Sequence, residues 1–117
     1  MGTNIILEKS FQFAIRIIKA YQYLCKTKKE FVLSRQLVKS GTSIGANIKE
    51  AMQAQSKRDF LSKMNIALKE ASETEYWILL LMKTNYFDQN AQIFLDDCIE
   101  INKILQTIVK TTKSNIG

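Results

Sequence analysis

The chain predicts an all-α, antiparallel up-down-up-down four-helix bundle, and three observations carry that prediction. Proline is absent from all 117 residues, where average usage would give about six. Because proline breaks helix interiors, its absence favours long uninterrupted helices. Apolar residues recur with a 3.6-residue period in each of four segments. The connections between those segments are too short to do more than reverse the chain, which makes sequential helices antiparallel neighbours. Only four glycines are present, two of them at the extreme ends, so little is left for hairpin turns. A chain this long is one domain, residues 1–117, and folding should bury roughly two-thirds of its unfolded surface, enough for a core without staples.

The first helix is expected over about residues 4–25. Leu7, Phe11, Ala14, Ile18, Tyr21 and Cys25 form its main apolar stripe, broadened by Phe13, Ile17 and Leu24. A polar run, Lys26-Thr27-Lys28-Lys29, ends it. The second helix spans about residues 31–54 and the third about 57–84, where Ser56 followed by Asp59 reads as a capping-box-like start. Phe60, Met64, Ala67, Leu68, Ala71, Ile78, Leu81 and Met82 line the inner face of the third helix. Residues 85–90 are a loop, and a fourth helix runs over about 90–112 with Phe94, Cys98, Ile101, Leu105 and Ile108 inward.

Residues 36–51 of the second helix are the most distinctive stretch. Leu37, Gly41, Ile44, Ile48 and Ala51 share one face, yet the middle is a run of poor helix formers. Each interior glycine costs about 1 kcal/mol relative to alanine. Gly41 and Gly45 lie four apart on one face, which would let a neighbouring backbone approach closely. Gly41, Ser43, Ile44, Gly45, Asn47 and Ile48 are therefore read as a helix-packing signature.

This stretch, with its Gln-Leu leading to Ser-Ile-x-x-Asn-Ile-x-Glu-Ala, resembles the signature of the 23S rRNA-intervening sequence proteins. The resemblance extends to Glu-Lys-Ser-Phe-x-Phe-Ala at 8–14, Ser-Lys-x-Asp-Phe at 56–60 and Ile-Ala-Leu-Lys-Glu-Ala-x-Glu-Thr-x-Tyr-Trp at 66–77. Many members carry proline after the Ser-Ile, where this chain has Gly45. The resemblance implies an antiparallel four-helix bundle that assembles as a homopentamer around a central axis. A similar fold serves as the accessory protein of diversity-generating retroelements, a basic pentamer that partners a reverse transcriptase and nucleic acid.

The residue inventory argues against an enzyme. There is no histidine, which removes Ser-His-Asp and Cys-His catalysis, His-ligated zinc and the Glu-x-x-His motif of di-iron bundles. The signature glycines are not a phosphate loop, because no Gly-Lys-Ser/Thr follows them. Cys25 and Cys98 are far apart, form no Cys-x-x-Cys, and read as buried free thiols. Glu70, Glu73 and Glu75 are the one carboxylate cluster. Glu75 is expected to point coreward with Ser43 and Asn47, in a network that fixes helix register. No cofactor, metal or small-molecule substrate is expected. The absence of a signal-like N-terminus or a long apolar run leads to an expected cytoplasmic protein with no membrane partner.

Charge points to a partner class. Residues 1–54 carry nine Lys/Arg against three acids, whereas residues 55–117 carry eight against eight, so the whole net charge of +6 belongs to the first half. Lys9, Arg16, Lys19 and Lys26 fall within about a 100° sector of the first helix, and Lys28 and Lys29 continue from its end. With Arg35 they are the candidate contacts to an RNA or DNA phosphate backbone. Tyr21 and Tyr23 are the aromatics nearest that stripe, with Tyr21 expected in the core. In the third helix, Tyr76 to Met82 is apolar all round, and Tyr76, Trp77 and Leu80 are the candidate oligomer interface. The function read from the sequence is thus a non-catalytic homo-oligomer, pentameric by resemblance, with a basic face for nucleic acid. The alternative is a protein-interaction scaffold that binds no nucleic acid.

Overall fold

The structure is a computed structural model that describes the backbone of residues 2–116 and the side chains of residues 4–116. Four helices make up the fold: α1 (Gly2–Lys26), α2 (Leu33–Ala51), α3 (Lys57–Lys83) and α4 (Gln92–Ile116). A short 3-10 turn, Gln89–Ala91, leads into α4, and there is no strand among the described residues. Each helix packs on its two sequence neighbours, and α4 closes on α1, so α1 and α3 stand at opposite corners of an antiparallel bundle. The particle measures 48 × 21 × 20 Å. Two of the helix ends are set by the polar residues beside them. Asp59 N–H donates to Ser56 Oγ at 3.1 Å, while the Asp59 carboxylate accepts from Gln55 N–H at 3.2 Å. α3 ends where Asn85 takes a left-handed φ of 67°, a conformation asparagine tolerates better than most residues.

The core contains Phe13, Ile17, Leu24, Leu37, Ile44, Ile48, Met64, Ile78, Leu81, Ile101 and Leu105. α3 and α4 bury the faces their periodicity predicts. α1 does not. Its buried stripe is Ile6, Ser10, Phe13, Ile17, Ala20 and Leu24, which lies about 100° round the helix from the stripe of Leu7, Phe11, Ala14, Ile18, Tyr21 and Cys25. Phe11 is 60% exposed, and Ile18 is exposed too. The reason is packing distance. The buried stripe contains Ser10 and Ala20, small residues that an apolar count undervalues but that let α1 approach its neighbours.

The α1–α2 contact shows this closely. A Cβ added at Gly45 would meet Ser10 Oγ at 3.2 Å, and one at Gly41 would meet Ile17 Cγ2 at 2.8 Å. Gly41 therefore gives up helix propensity to make room for the Ile17 side chain, and Gly45, less tightly, for Ser10. The polar residues that join helices differ from those expected. Ser43 Oγ donates to Lys39 O at 2.6 Å and Asn47 Nδ2 to Ser43 O at 2.8 Å, both within α2. Buried Thr74 Oγ1 of α3 donates to Ser40 Oγ of α2 at 2.9 Å, and Lys63 Nζ of α3 lies 3.4 Å from Glu50 Oε1 of α2. Asn102 Nδ2 donates to Ser72 Oγ at 3.2 Å, and Cys98 Sγ to Ala71 O at 3.3 Å, across α3 and α4. Every buried side-chain polar atom described has a partner, as a stable core requires.

Candidate functional site

The antiparallel topology brings the α1–α2 connection and the α3–α4 connection to one end of the bundle. The α1–α2 connection is the more basic, and its shape is fixed by a single acid. α1 closes with Thr27 N–H donating to Tyr23 O at 2.8 Å and Glu30 N–H to Leu24 O at 3.0 Å. Lys29 sits between them in the left-handed region, φ 56°, where glycine would be less strained. The Glu30 carboxylate then turns back and accepts the N–H groups of Val32 (3.2 Å), Leu33 (2.9 Å) and Ser34 (2.7 Å). Ser34 Oγ donates to Glu30 O at 2.8 Å.

Glu30 thus satisfies the first free donors of α2, which is why that helix begins at Leu33 and not at Phe31. Burial alone would raise its carboxyl, but the three backbone donors and the Ser34 hydroxyl outweigh burial and hold it below the usual carboxylate range. With Glu30 turned inward, its neighbours are turned outward. Lys28, Lys29, Phe31 and Val32 are all exposed.

The predicted basic residues divide into two groups. Lys9 and Arg16 lie on the seam between α1 and α4, where Lys9 Nζ is 3.0 Å from Glu100 Oε1 and Arg16 pairs with Asp97. Lys19, Lys26, Lys28, Lys29 and Arg35 are exposed, and among the described residues they take part in no ion pair. Lys19 shares a shallow depression with Tyr23, Phe87, Asp88 and Phe94. Tyr21 is half-buried and Tyr23 exposed.

The candidate assembly residues sit on the outer side of α3. Tyr76 is 58% exposed, while Trp77 and Leu80 are half-buried. The Trp77 ring stands edge-on to Tyr76 with centroids 5.1 Å apart, and its Nε1–H donates to Glu73 Oε2 at 3.0 Å. The sequence reading missed a second apolar surface. Leu7, Phe11, Ala14 and Ile18 of α1 form one wall of an open groove of about 580 Å³, with Thr42, Gly45 and Ala46 of α2 along the other and Glu8 and Lys49 at its edges. Its signal was the same apolar stripe that was read as core.

In the acidic cluster of α3, Glu70 is half-buried and Glu73 exposed. Glu70 is raised by burial and by the neighbouring Glu73 charge, with Lys39 opposing. Glu75 is half-buried. Burial, with the Glu75 and Asp97 charges adding, pushes the Cys98 thiol up to about 12, which disfavours its thiolate. No group of three or more His, Cys, Asp or Glu could hold a metal among the described residues, and none of the described helices is long and apolar enough to cross a membrane.

Comparisons with known proteins agree with the geometry. Residues 3–107 match the family model of the 23S rRNA-intervening sequence proteins. A crystal structure of a protein of unknown function from the S23 ribosomal protein family of Bacteroides thetaiotaomicron VPI-5482 superposes with a TM-score of 0.92. It is 52% identical, over 94% of this chain and 99% of that one. A comparison with curated proteins gives no match. With nearly the whole chain matched, in sequence and in fold, the protein belongs to the 23S rRNA-intervening sequence protein family.

Proposed function

We propose that this chain is a non-catalytic helical bundle that assembles with copies of itself, as a pentamer, and that the assembly binds the phosphate backbone of RNA or DNA. The observation that carries the reading is the set of exposed cations at one end that take part in no ion pair among the described residues: Lys26, Lys28, Lys29 and Arg35, with Lys19 about two turns below. Five copies would repeat that set around an axis and multiply the charge of +6 per chain fivefold, producing a field that a single chain does not. Arg35 is suited to bidentate phosphate contact, and the lysines act as point charges. Lys9 and Arg16 instead hold α4 against α1. Binding of labelled RNA and DNA, titrated at several salt concentrations, tests the reading. Counterion release makes the logarithm of affinity fall linearly with the logarithm of salt. An affinity indifferent to salt would contradict it.

A second reading, a protein-interaction scaffold, is favoured by the apolar groove along Phe11 and Ile18. Self-assembly accounts for the same surface. The groove lies between α1 and α2 while the Tyr76 ridge lies on α3, so two unlike patches occupy different faces of one chain. A heterologous, ring-closing contact covers both, whereas a two-fold contact through either one leaves the other bare.

A further inference from the structure

We infer that the α1–α2 connection recognises an unpaired nucleotide, with the Phe31 ring stacking on its base while Lys28, Lys29 and Arg35 hold the phosphates on either side. The inference rests on the nucleic-acid reading above and names the class of nucleic acid, single-stranded or looped out and not continuous duplex.

Phe31 and Val32 are 54% and 72% exposed. Their exposure is enforced. The Glu30 carboxylate and carbonyl make four hydrogen bonds across residues 32–34, and Glu30 itself is only 8% exposed. With the backbone clamped on both sides of it, Phe31 cannot fold inward without breaking the start of α2. A large ring held outward by a rigid turn loses little entropy when it binds.

Charge selects the occupant. Four cations, Lys26, Lys28, Lys29 and Arg35, lie within ten residues of chain around Phe31, and the one acid among them is Glu30, spent on the backbone. An aromatic face set among cations is the arrangement that binds single strands, where base stacking and phosphate contact act together. A duplex hides its base faces and could use only the cations. The same carboxylate also occupies the N–H groups at the start of α2, so the phosphates must be held by side chains and not by the helix N-terminus. Tyr23, exposed at the other end of the lysine run, offers a second ring for a neighbouring base.

The test compares Phe31→Ala and Phe31→Tyr with wild type, using fluorescence anisotropy of labelled oligouridine and of a blunt RNA duplex at one salt concentration. Phe31→Ala should weaken oligouridine binding by about fivefold to a hundredfold, the range that stacking on one base provides. Duplex binding should change by less than about twofold, since its phosphate contacts remain. Phe31→Tyr should restore the oligouridine affinity. Lys28→Glu with Lys29→Glu should weaken both probes. Unchanged oligouridine binding by Phe31→Ala overturns the stacking site but leaves the phosphate reading intact. Failure of wild type to bind either probe overturns both. If wild type instead binds vesicles containing phosphatidylserine and ignores both RNAs, Phe31 and Val32 are a membrane anchor and the inference is wrong.

Discussion

Gly41 lies directly against the side chain of Ile17, so closely that a Cβ on the glycine would come within 2.8 Å of Ile17 Cγ2. Ile17 is fully buried, and its β-branched side chain has little rotamer freedom inside a helix. Gly41→Ala must therefore push α1 and α2 apart. The overpacking costs roughly 1–3 kcal/mol, against about 1 kcal/mol gained in helix propensity. Gly45→Ala meets Ser10 Oγ at 3.2 Å and Ser10 Cβ and O at 3.6 Å, so Ser10 need give by only a few tenths of an ångström. Thermal melts should show Gly41→Ala at or below wild type and Gly45→Ala at or above it. Gly45→Leu should melt well below both. The reverse order for the two alanine variants would show that the glycines do not set the α1–α2 distance.

Glu30 gives the fold an acid-sensitive joint. Its folded value lies below that of a free carboxyl, so its contribution is fully present above the free value and is lost as pH falls through the folded one. Glu30→Gln should cost about 1 kcal/mol at neutral pH, as loss of a helix cap does. The gap between variant and wild type should narrow as pH drops below the usual carboxylate range. Glu70 works in the opposite sense. Its raised value means that its ionisation costs stability, a penalty that grows as pH rises through the carboxylate range. Denaturant titrations at several pH values separate the two through Glu30→Gln and Glu70→Gln.

The two groups of basic residues should respond differently to charge reversal. Reversing Lys26, Lys28, Lys29 and Arg35 to glutamate should abolish salt-dependent nucleic-acid binding and leave the melting temperature nearly unchanged, because exposed sites typically shift stability by under about 0.5 kcal/mol each. Reversing Lys9 and Arg16 places glutamates against Glu100 and Asp97. That pair should loosen the α1–α4 seam, at about 1 kcal/mol or less per lost surface pair plus the new repulsion. Its effect on binding should be the smaller one. A Lys9/Arg16 variant that loses binding with its stability intact would restore the whole α1 stripe as the contact surface.

The bundle was legible in the sequence because three of its causes are local: the missing proline, the helical period and the short connections. Its α3 and α4 faces were legible for the same reason, since Met64, Ala71, Ile78 and Cys98, Ile101, Leu105 fall where the period puts them. α1 was not. It carries apolar residues over more than half its circumference, and which part is buried depends on how closely α2 and α4 approach, a tertiary quantity set by Ser10, Ala20, Gly41 and Gly45. The site was half legible. The cations could be counted, but their acidic partners on α4 lie 81 and 91 residues away. Glu30 read as one more charge, and only the fold shows it folded back on Val32, Leu33 and Ser34, with Phe31 left outside.

Self-assembly is the premise on which the charge argument depends, and mass in solution tests it most directly. Light scattering on the purified protein should report about five times the chain mass of 13.5 kDa and a single species. Tyr76→Asp, and separately Phe11→Asp, should each reduce that mass, since both side chains are exposed in the isolated chain and neither is needed for its core. A monodisperse 13.5 kDa particle at micromolar concentration would contradict the pentamer, and with it the continuous basic surface proposed to hold nucleic acid.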